Sequence, residues 1–133
     1  MTMLDAAADL RAWMDAHAPA ADVWLETASA LRRAALDVPG VARLADSASF
    51  RTHGRRGTVD GVALAPTVGG GARADVAVWV EAAVATEPGR LGAVGRAVEQ
   101  AVRATWQRTG DARALEVAVH LVDVGPPAPS DAL

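Results

Sequence analysis

Cysteine and lysine are both missing from this sequence, and so are long apolar runs. Without cysteine, the chain has no disulfide framework, no thiolate chemistry and no cysteine-based zinc site. No stretch approaches the roughly 20 apolar residues that a membrane-spanning helix requires, and the acidic start lacks the basic residues of a signal peptide. The sequence therefore predicts a protein that does not insert into a membrane by itself, with the cytoplasm as the expected compartment.

Motifs for catalysis and for metal binding are missing as well. His17, His53 and His120 are scattered and form neither an H-x-x-x-H nor an H-E-x-x-H pattern. The glycine run 69–71 leads towards a strand rather than a helix, which is the wrong context for a phosphate-binding loop. We therefore expect no catalytic residues, no bound metal and no cofactor.

The charge and the length of the chain further restrict the class of protein. The 13 basic residues are all arginine, the net charge is −3, and half of the 133 residues are apolar. This composition is typical of one globular domain with a genuine core. A mildly acidic chain argues against nucleic acid as a default partner, although a local basic patch could override that.

The clearest pattern is a strand, a helix and a second strand between residues 75 and 124. Valines alternate along a first strand, residues 76–84, and apolar residues alternate again along residues 115–124. The helix between them is expected to start near Thr86, a capping candidate followed by Pro88, and to stop at Gly110. Its predicted apolar stripe is Leu91, Val94, Val98, Val102 and Thr105, with Glu99 and Arg103 spaced for an ion pair.

The sequence as a whole predicts three segments. Residues 1–21 form an extension with an amphipathic helix over residues 4–17, residues 22–124 form the domain, and residues 125–133 form a disordered Pro-rich tail. Within the domain, a helix is expected from Asp22 to about Asp37. Its predicted apolar stripe is Val23, Thr27, Leu31, Ala34 and Val38.

Two further strands are predicted, at residues 41–44 and 59–65, and the glycine run 69–71 is expected to close an antiparallel hairpin. The whole is an α+β fold in the order α-α-β-β-β-α-β. We expect a small mixed sheet of three to four strands with helices packed mainly on one face.

The opposite sheet face predicts an interface. Trp79 faces away from the valine row of its strand, and Val122 and Val124 are expected on the corresponding face of the last strand. Apolar surface of that kind usually marks a contact, made here by the helix within residues 3–17 or by another subunit. The candidate interface residues are Leu10, Trp13, Met14, Trp79, His120 and Val122.

The sequence leaves two other kinds of functional site open besides an interface. His120 lies within a predicted strand, where it is either a surface or interface residue or a ligand or acid–base group of a small enzyme. The segment Gly54-Arg-Arg-Gly57 matches the G-x-x-G loop that clamps phosphates in the KH nucleic-acid module, although here it leads into a strand. The candidate anion-binding residues are Arg51, His53, Arg55 and Arg56.

Three segments resemble one known family. Ala35-Leu-Asp-Val-Pro-Gly-Val-Ala-Arg-Leu44, Arg55-Arg-Gly-Thr-Val-Asp-Gly-Val-Ala-Leu64 and Val117-Ala-Val-His-Leu-Val-Asp-Val124 are similar, in order and spacing, to segments of the alkaline shock protein family of Gram-positive bacteria. The chain departs from the family at Ala83-Val-Ala-Thr-Glu-Pro88, where a Tyr-Gly is usual. Its N-terminal helix also replaces what is often a short β segment.

The resemblance implies a non-catalytic, cytoplasmic stress protein linked to cell-envelope homeostasis. It also implies a homo-oligomer that a separate membrane-anchored protein holds near the membrane. A KH-like nucleic-acid binder that uses the basic turn is the alternative function, and a small enzyme around His120 is the third.

Overall fold

The computed structural model describes residues 23–125, which form three helices and six strands. The helices are α1 (residues 23–36), α2 (Ala82–Thr86) and α3 (Arg90–Arg108). The strands are β1 (Val41–Leu44), β2 (Arg51–Gly54), β3 (Gly57–Asp60), β4 (Val62–Pro66), β5 (Ala72–Glu81) and β6 (Leu115–Gly125).

Strand β5 is the centre of a mixed four-stranded sheet. On one side it pairs in parallel with β6 along its whole length. On the other side it pairs antiparallel with β4 over its first half and with β1 over its second half. This sheet confirms the predicted α+β class, the glycine-closed hairpin between β4 and β5, and the strand–helix–strand unit.

Helices α1 and α3 contribute to a single apolar core with one face of the sheet. The alternation of β5 brings Val76, Val78 and Val80 into this core, and all three are fully buried or nearly so. Burial of each valine side chain contributes roughly 1.5–3 kcal/mol to the free energy of folding. The helices supply Ala28, Leu31, Ala35, Val94, Val98, Val102 and Trp106 to the same cluster.

The region between β1 and β4 differs from the prediction. Strands β2 and β3 form a separate two-stranded hairpin, in which residues 51–54 pair with residues 57–60. The predicted single strand over residues 59–65 is wrong, because Gly61 interrupts it with a positive φ of 90°. The chain thus passes from the hairpin into the main sheet at Gly61.

The junction between β5 and α3 also differs. The strand ends at Glu81 rather than at residue 84, and residues 82–86 make a short helix. Thr86 does not cap α3, because its hydroxyl donates to the Ala83 carbonyl at 3.0 Å. Helix α3 instead begins after Gly89, which has a left-handed φ of 78°, and ends before Gly110.

Helix α1 is rotated slightly from its predicted orientation, whereas α3 buries most of its predicted stripe. In α1 the buried positions are Ala28, Leu31 and Ala35, and the partly buried Trp24 replaces the exposed Val23. The larger apolar area of the tryptophan explains why it turns inward. In α3 the predicted stripe is buried from Val94 onward and continues to Trp106, whereas Leu91 is exposed.

Strand β6 contains an irregularity that the alternation pattern did not reveal. Leu121 pairs with Val78, but Asp123 is the partner of the next residue, Trp79, so Val122 is an additional residue in β6. Such a bulge reverses the alternation beyond it. Val124 consequently pairs with Val80 on the helix-covered side, and its predicted position on the opposite face is wrong.

The predicted helix over residues 4–17, with Leu10, Trp13, Met14 and His17, lies outside the described residues, and so does nearly all of the predicted tail. Among the helices within residues 23–125, none is long and apolar enough to cross a membrane.

Candidate interaction surface

The sheet face opposite the helices, here called the outer face, is built by the alternate residues of β5 and β6. On β5 these residues are Arg73, Asp75, Ala77 and Trp79. The parallel register sets Glu116 beside Arg73, Ala118 beside Asp75, and His120 beside Ala77. The outer face thus combines a charged end with an aromatic end.

The charged end is a row of alternating signs. Arg73 contacts Asp75 at 3.0 Å and Glu116 at 3.7 Å, and His120 Nε2 lies 2.9 Å from Asp75 Oδ1. Hydrogen bonding from Arg73, assisted by His120, holds the pKa of Asp75 below its ordinary value. The carboxylate therefore stays ionised and orients the imidazole.

The middle of the outer face is covered by the chain itself. The Phe50 ring packs on His120 with a centroid distance of 4.8 Å, and Ala77, the register partner of His120, is fully buried. The guanidinium of Arg43 lies 4.1 Å from the Trp79 ring centroid, a cation–π contact. Residues of the loop after β1 and of β1 itself therefore shield part of the surface that we expected an N-terminal helix or a second subunit to cover.

The open part of the sheet is the C-terminal part of β6 and its edge. Within residues 23–125, β6 pairs with β5 alone, so it is an edge strand. Its end exposes three large apolar side chains: Leu121 is 40% exposed, Val122 47% and Val124 42%. We call these three residues the apolar end of β6.

The predicted interface residues divide into three groups. Leu10, Trp13 and Met14 lie outside the described residues. Trp79 and His120 are on the outer face but are partly covered by Arg43 and Phe50. Val122 is exposed at the apolar end of β6. Sequence reasoning missed the Asp75–His120 pair, because its members are 45 positions apart and meet only through the parallel register.

The predicted basic turn is the tip of the β2–β3 hairpin. It therefore joins two strands, whereas the G-x-x-G loop of the KH module joins two helices. Arg51 lies at the base of the hairpin, where it forms ion pairs with Asp46 and Asp60. The hydrogen bond from Arg51 holds the pKa of Asp60 below its ordinary value. Much of the positive charge of Arg51 is thus compensated.

The other three residues of the predicted anion site lie towards the hairpin tip. His53 is exposed on β2, and Arg55 and Arg56 are exposed in the turn. Arg51 thus lies at the base of the hairpin and is paired with acids, whereas the other three candidates lie towards its tip.

Two shallow polar clefts lie elsewhere on the surface formed by residues 23–125. One, of about 400 Å³, is lined by the glycine run 69–71 and by residues 111–114. Here Arg113 hydrogen-bonds to Asp111 and lowers the pKa of that carboxyl to about 2. The other, of about 260 Å³, lies between α1 and β3.

Neither cleft brings together the groups of an obvious reaction. The acid and the arginine of the larger cleft neutralise each other, and the Asp75–His120 pair lies apart from both clefts. In the part of the chain that the structure describes, no group of three or more histidine or acidic residues is arranged to hold a metal ion. Nor does any hydroxyl within residues 23–125 hydrogen-bond to His120, as an activated nucleophile would.

Comparisons of this chain with protein-family models, with curated proteins and with solved structures found no match. Inferences about its function therefore depend on the surface of the described residues and on the resemblance of the three sequence segments quoted above.

Proposed function

We propose that this protein is a non-catalytic interaction protein of the cell-envelope stress type, acting through self-association and contacts with other proteins. The observation that carries the proposal is the apolar end of β6. Three neighbouring large apolar side chains are exposed there on an edge strand.

The physical reason is the cost of leaving such a strand in water. An edge strand presents unpaired backbone N–H and C=O groups, and natural proteins usually protect these with charge, proline or a cover. Over residues 117–122, β6 has neither proline nor an acidic or arginine side chain, only His120 among apolar residues. Such a strand favours association with another polypeptide.

The cellular setting comes from the family resemblance. It implies a cytoplasmic protein that a membrane-anchored protein partner holds near the envelope. We include that partner in the proposal, with the apolar end of β6 and the outer face as the surface for protein contacts.

Co-purification from native cells tests this proposal. Two differently tagged copies are expressed at native level, and one tag is used to recover the other copy and any membrane protein. We expect Val122→Glu to abolish both recoveries, because a carboxylate would have to be buried in the contact.

The matched control is Val68→Glu, which changes a fully exposed valine in the turn between β4 and β5. This variant should behave like the unmodified protein, both in co-purification and in co-fractionation with membranes. Equal behaviour of the two variants would contradict the proposal.

A further inference from the structure

Within residues 23–125, the edge of β6 that faces away from β5 is unpaired. The strand runs over Leu115–Gly125 and is hydrogen-bonded to β5 on one side. Leu115, Val117, Val119 and Leu121 point to the helix-covered face, and Glu116, Ala118 and His120 point to the outer face. The regular part of the edge therefore ends before the bulge at Val122.

Symmetry restricts how two such edges can join. In a two-fold symmetric antiparallel pair, residues that lie opposite each other point to the same sheet face. The symmetry axis must then pass beside one residue of β6, and each choice of that residue defines a complete register. These registers differ in which side chains of the two copies lie opposite each other.

We propose that two copies of this chain join their β6 edges antiparallel, with Ala118 of one copy opposite Ala118 of the other. The inference rests on the proposed self-association and specifies its geometry. In this register Glu116 lies opposite His120 of the second copy, Val117 opposite Val119, and Leu115 opposite Leu121. The two four-stranded sheets would then form one continuous eight-stranded sheet.

Charge complementarity selects this register over its neighbours. An axis at Val117 sets Glu116 opposite Ala118, and an axis at Val119 sets Glu116 opposite Val122. An axis at His120 brings the two imidazoles together. Only the Ala118 register sets Glu116 of each copy opposite His120 of the other. With His120 as an imidazolium, this is the opposite-charge cross-strand pair that stabilises a sheet.

The charged row of the outer face continues across the proposed junction. Within one copy, Arg73 contacts Glu116 at 3.7 Å, and Asp75 contacts His120 Nε2 at 2.9 Å. The second ring nitrogen of His120 has no hydrogen-bond partner within residues 23–125. As an imidazolium, His120 would donate from Nε2 to Asp75 of its own chain and from this second nitrogen to Glu116 of the second copy, which would give a row of alternating charges through both sheets.

Single cysteines test the register, because the chain has none of its own. In the full chain, Ala118→Cys should form a disulfide-linked or short-linker cross-linked dimer under mild oxidation or with a short bis-maleimide. Val122→Cys is the matched control on the same strand. In the Ala118 register the two introduced cysteines would be eight residues apart along the strands. At about 3.4 Å per residue this is roughly 27 Å, which is too far to cross-link.

A mixing experiment tests the same register without a thiol. Glu116→Arg and His120→Glu each set unfavourable pairs opposite each other in a homodimer, and should weaken it. In a mixture, the guanidinium introduced by Glu116→Arg in one chain faces the carboxylate introduced by His120→Glu in the other, and the native pair remains on the second side. We expect the mixture to associate roughly three- to thirty-fold more tightly than either variant alone.

The outcomes separate this inference from the proposed function. Cross-linking at position 118 but not at 122, together with recovery on mixing, supports the Ala118 register. An associating chain that cross-links at 122 instead, or shows no gain on mixing, overturns the register and leaves the interaction function standing. A chain that stays monomeric in every variant, including the unmodified one, overturns both.

Discussion

Gly61 is the residue at which the hairpin and the main sheet meet. Its N–H donates to the Phe50 carbonyl at 2.7 Å, and its carbonyl accepts from the Ala77 N–H at 2.9 Å. Its φ is 90°, a conformation that side chains disfavour, and a Cβ added here would overlap the side chain of Leu44. Both the backbone and the space therefore require glycine.

Replacing Gly61 by alanine should destabilise the fold through two separate effects. The positive φ costs of the order of 1–3 kcal/mol, and the overlap with Leu44 adds roughly 1–3 kcal/mol. Gly70→Ala is the matched control, because Gly70 has a φ of 85° and open space around it. Urea unfolding should give a clearly larger loss for Gly61→Ala, and equal losses would contradict the close approach to Leu44.

The Asp111–Arg113 pair makes stability depend on pH at the acidic end. The pKa of Asp111 is lowered from 3.8 to about 2, chiefly by the side-chain hydrogen bond from Arg113. Because the folded pKa lies below the unfolded value, the contribution to stability is present above pH 4 and is lost as the pH falls towards 2.

Asp111→Asn should therefore be less stable than the unmodified chain at pH 7, by a difference that narrows as the pH falls from 4 towards 2. Urea unfolding of both proteins at several pH values measures this difference. A difference that stays constant down to pH 2 would show that the charge of Asp111 is not responsible.

At the scale of elements, the sequence predicted the parts in which local periodicity and tertiary packing agree. Two periodic patterns correctly predicted the buried face of their elements. They are the alternation in β5 and the spacing of three or four residues in α3, and the residues concerned are Val76, Val78, Val80, Val94, Val98 and Val102. Their burial confirms the unit β5–α3–β6. Residues 82–84 continue the alternation of β5, yet the strand stops at Glu81 and residues 82–86 form helix α2.

Other elements were not predictable because they depend on contacts between distant residues. The β2–β3 hairpin has a polar sequence with one buried residue, Thr52, and so shows little alternation. The bulge at Val122 follows from the register with β5 and not from any residue type. The charged row of the outer face likewise appears only when β5 and β6 are aligned in parallel.

Thr52 attaches the hairpin to the main sheet. Its hydroxyl donates to the Val62 carbonyl at 2.6 Å and accepts from the Leu64 N–H at 3.0 Å, and the residue is buried. Thr52→Val keeps the shape but leaves both backbone groups of β4 without this partner. We expect a loss of roughly 1–3 kcal/mol in the free energy of unfolding, measured by urea denaturation.

Thr58→Val is the control for this change, because Thr58 is exposed on the neighbouring strand of the same hairpin. It should alter the free energy of unfolding by less than about 0.5 kcal/mol. A Thr52→Val variant as stable as Thr58→Val would mean that the hairpin does not depend on this hydroxyl.

At the scale of the whole molecule, the fold leaves its two sheet faces unequal. Helices α1 and α3 bury one face in the core, while the outer face is covered only where Phe50 and Arg43 lie on it, among the described residues. The edge of β6 and its apolar end remain open within residues 23–125. This unequal coverage is the reason that we propose the edge of β6, and not one of the shallow clefts, as the contact surface.

The most direct test is the mass of the full chain in solution as a function of concentration, measured by analytical ultracentrifugation. A second sample lacking the first 20 residues shows whether that segment contributes. If the β6 edge mediates self-association, the full chain forms dimers or larger species, and Val122→Glu shifts it to monomers while Val68→Glu does not. A chain that sediments as a monomer at all concentrations, with and without its first 20 residues, would contradict self-association.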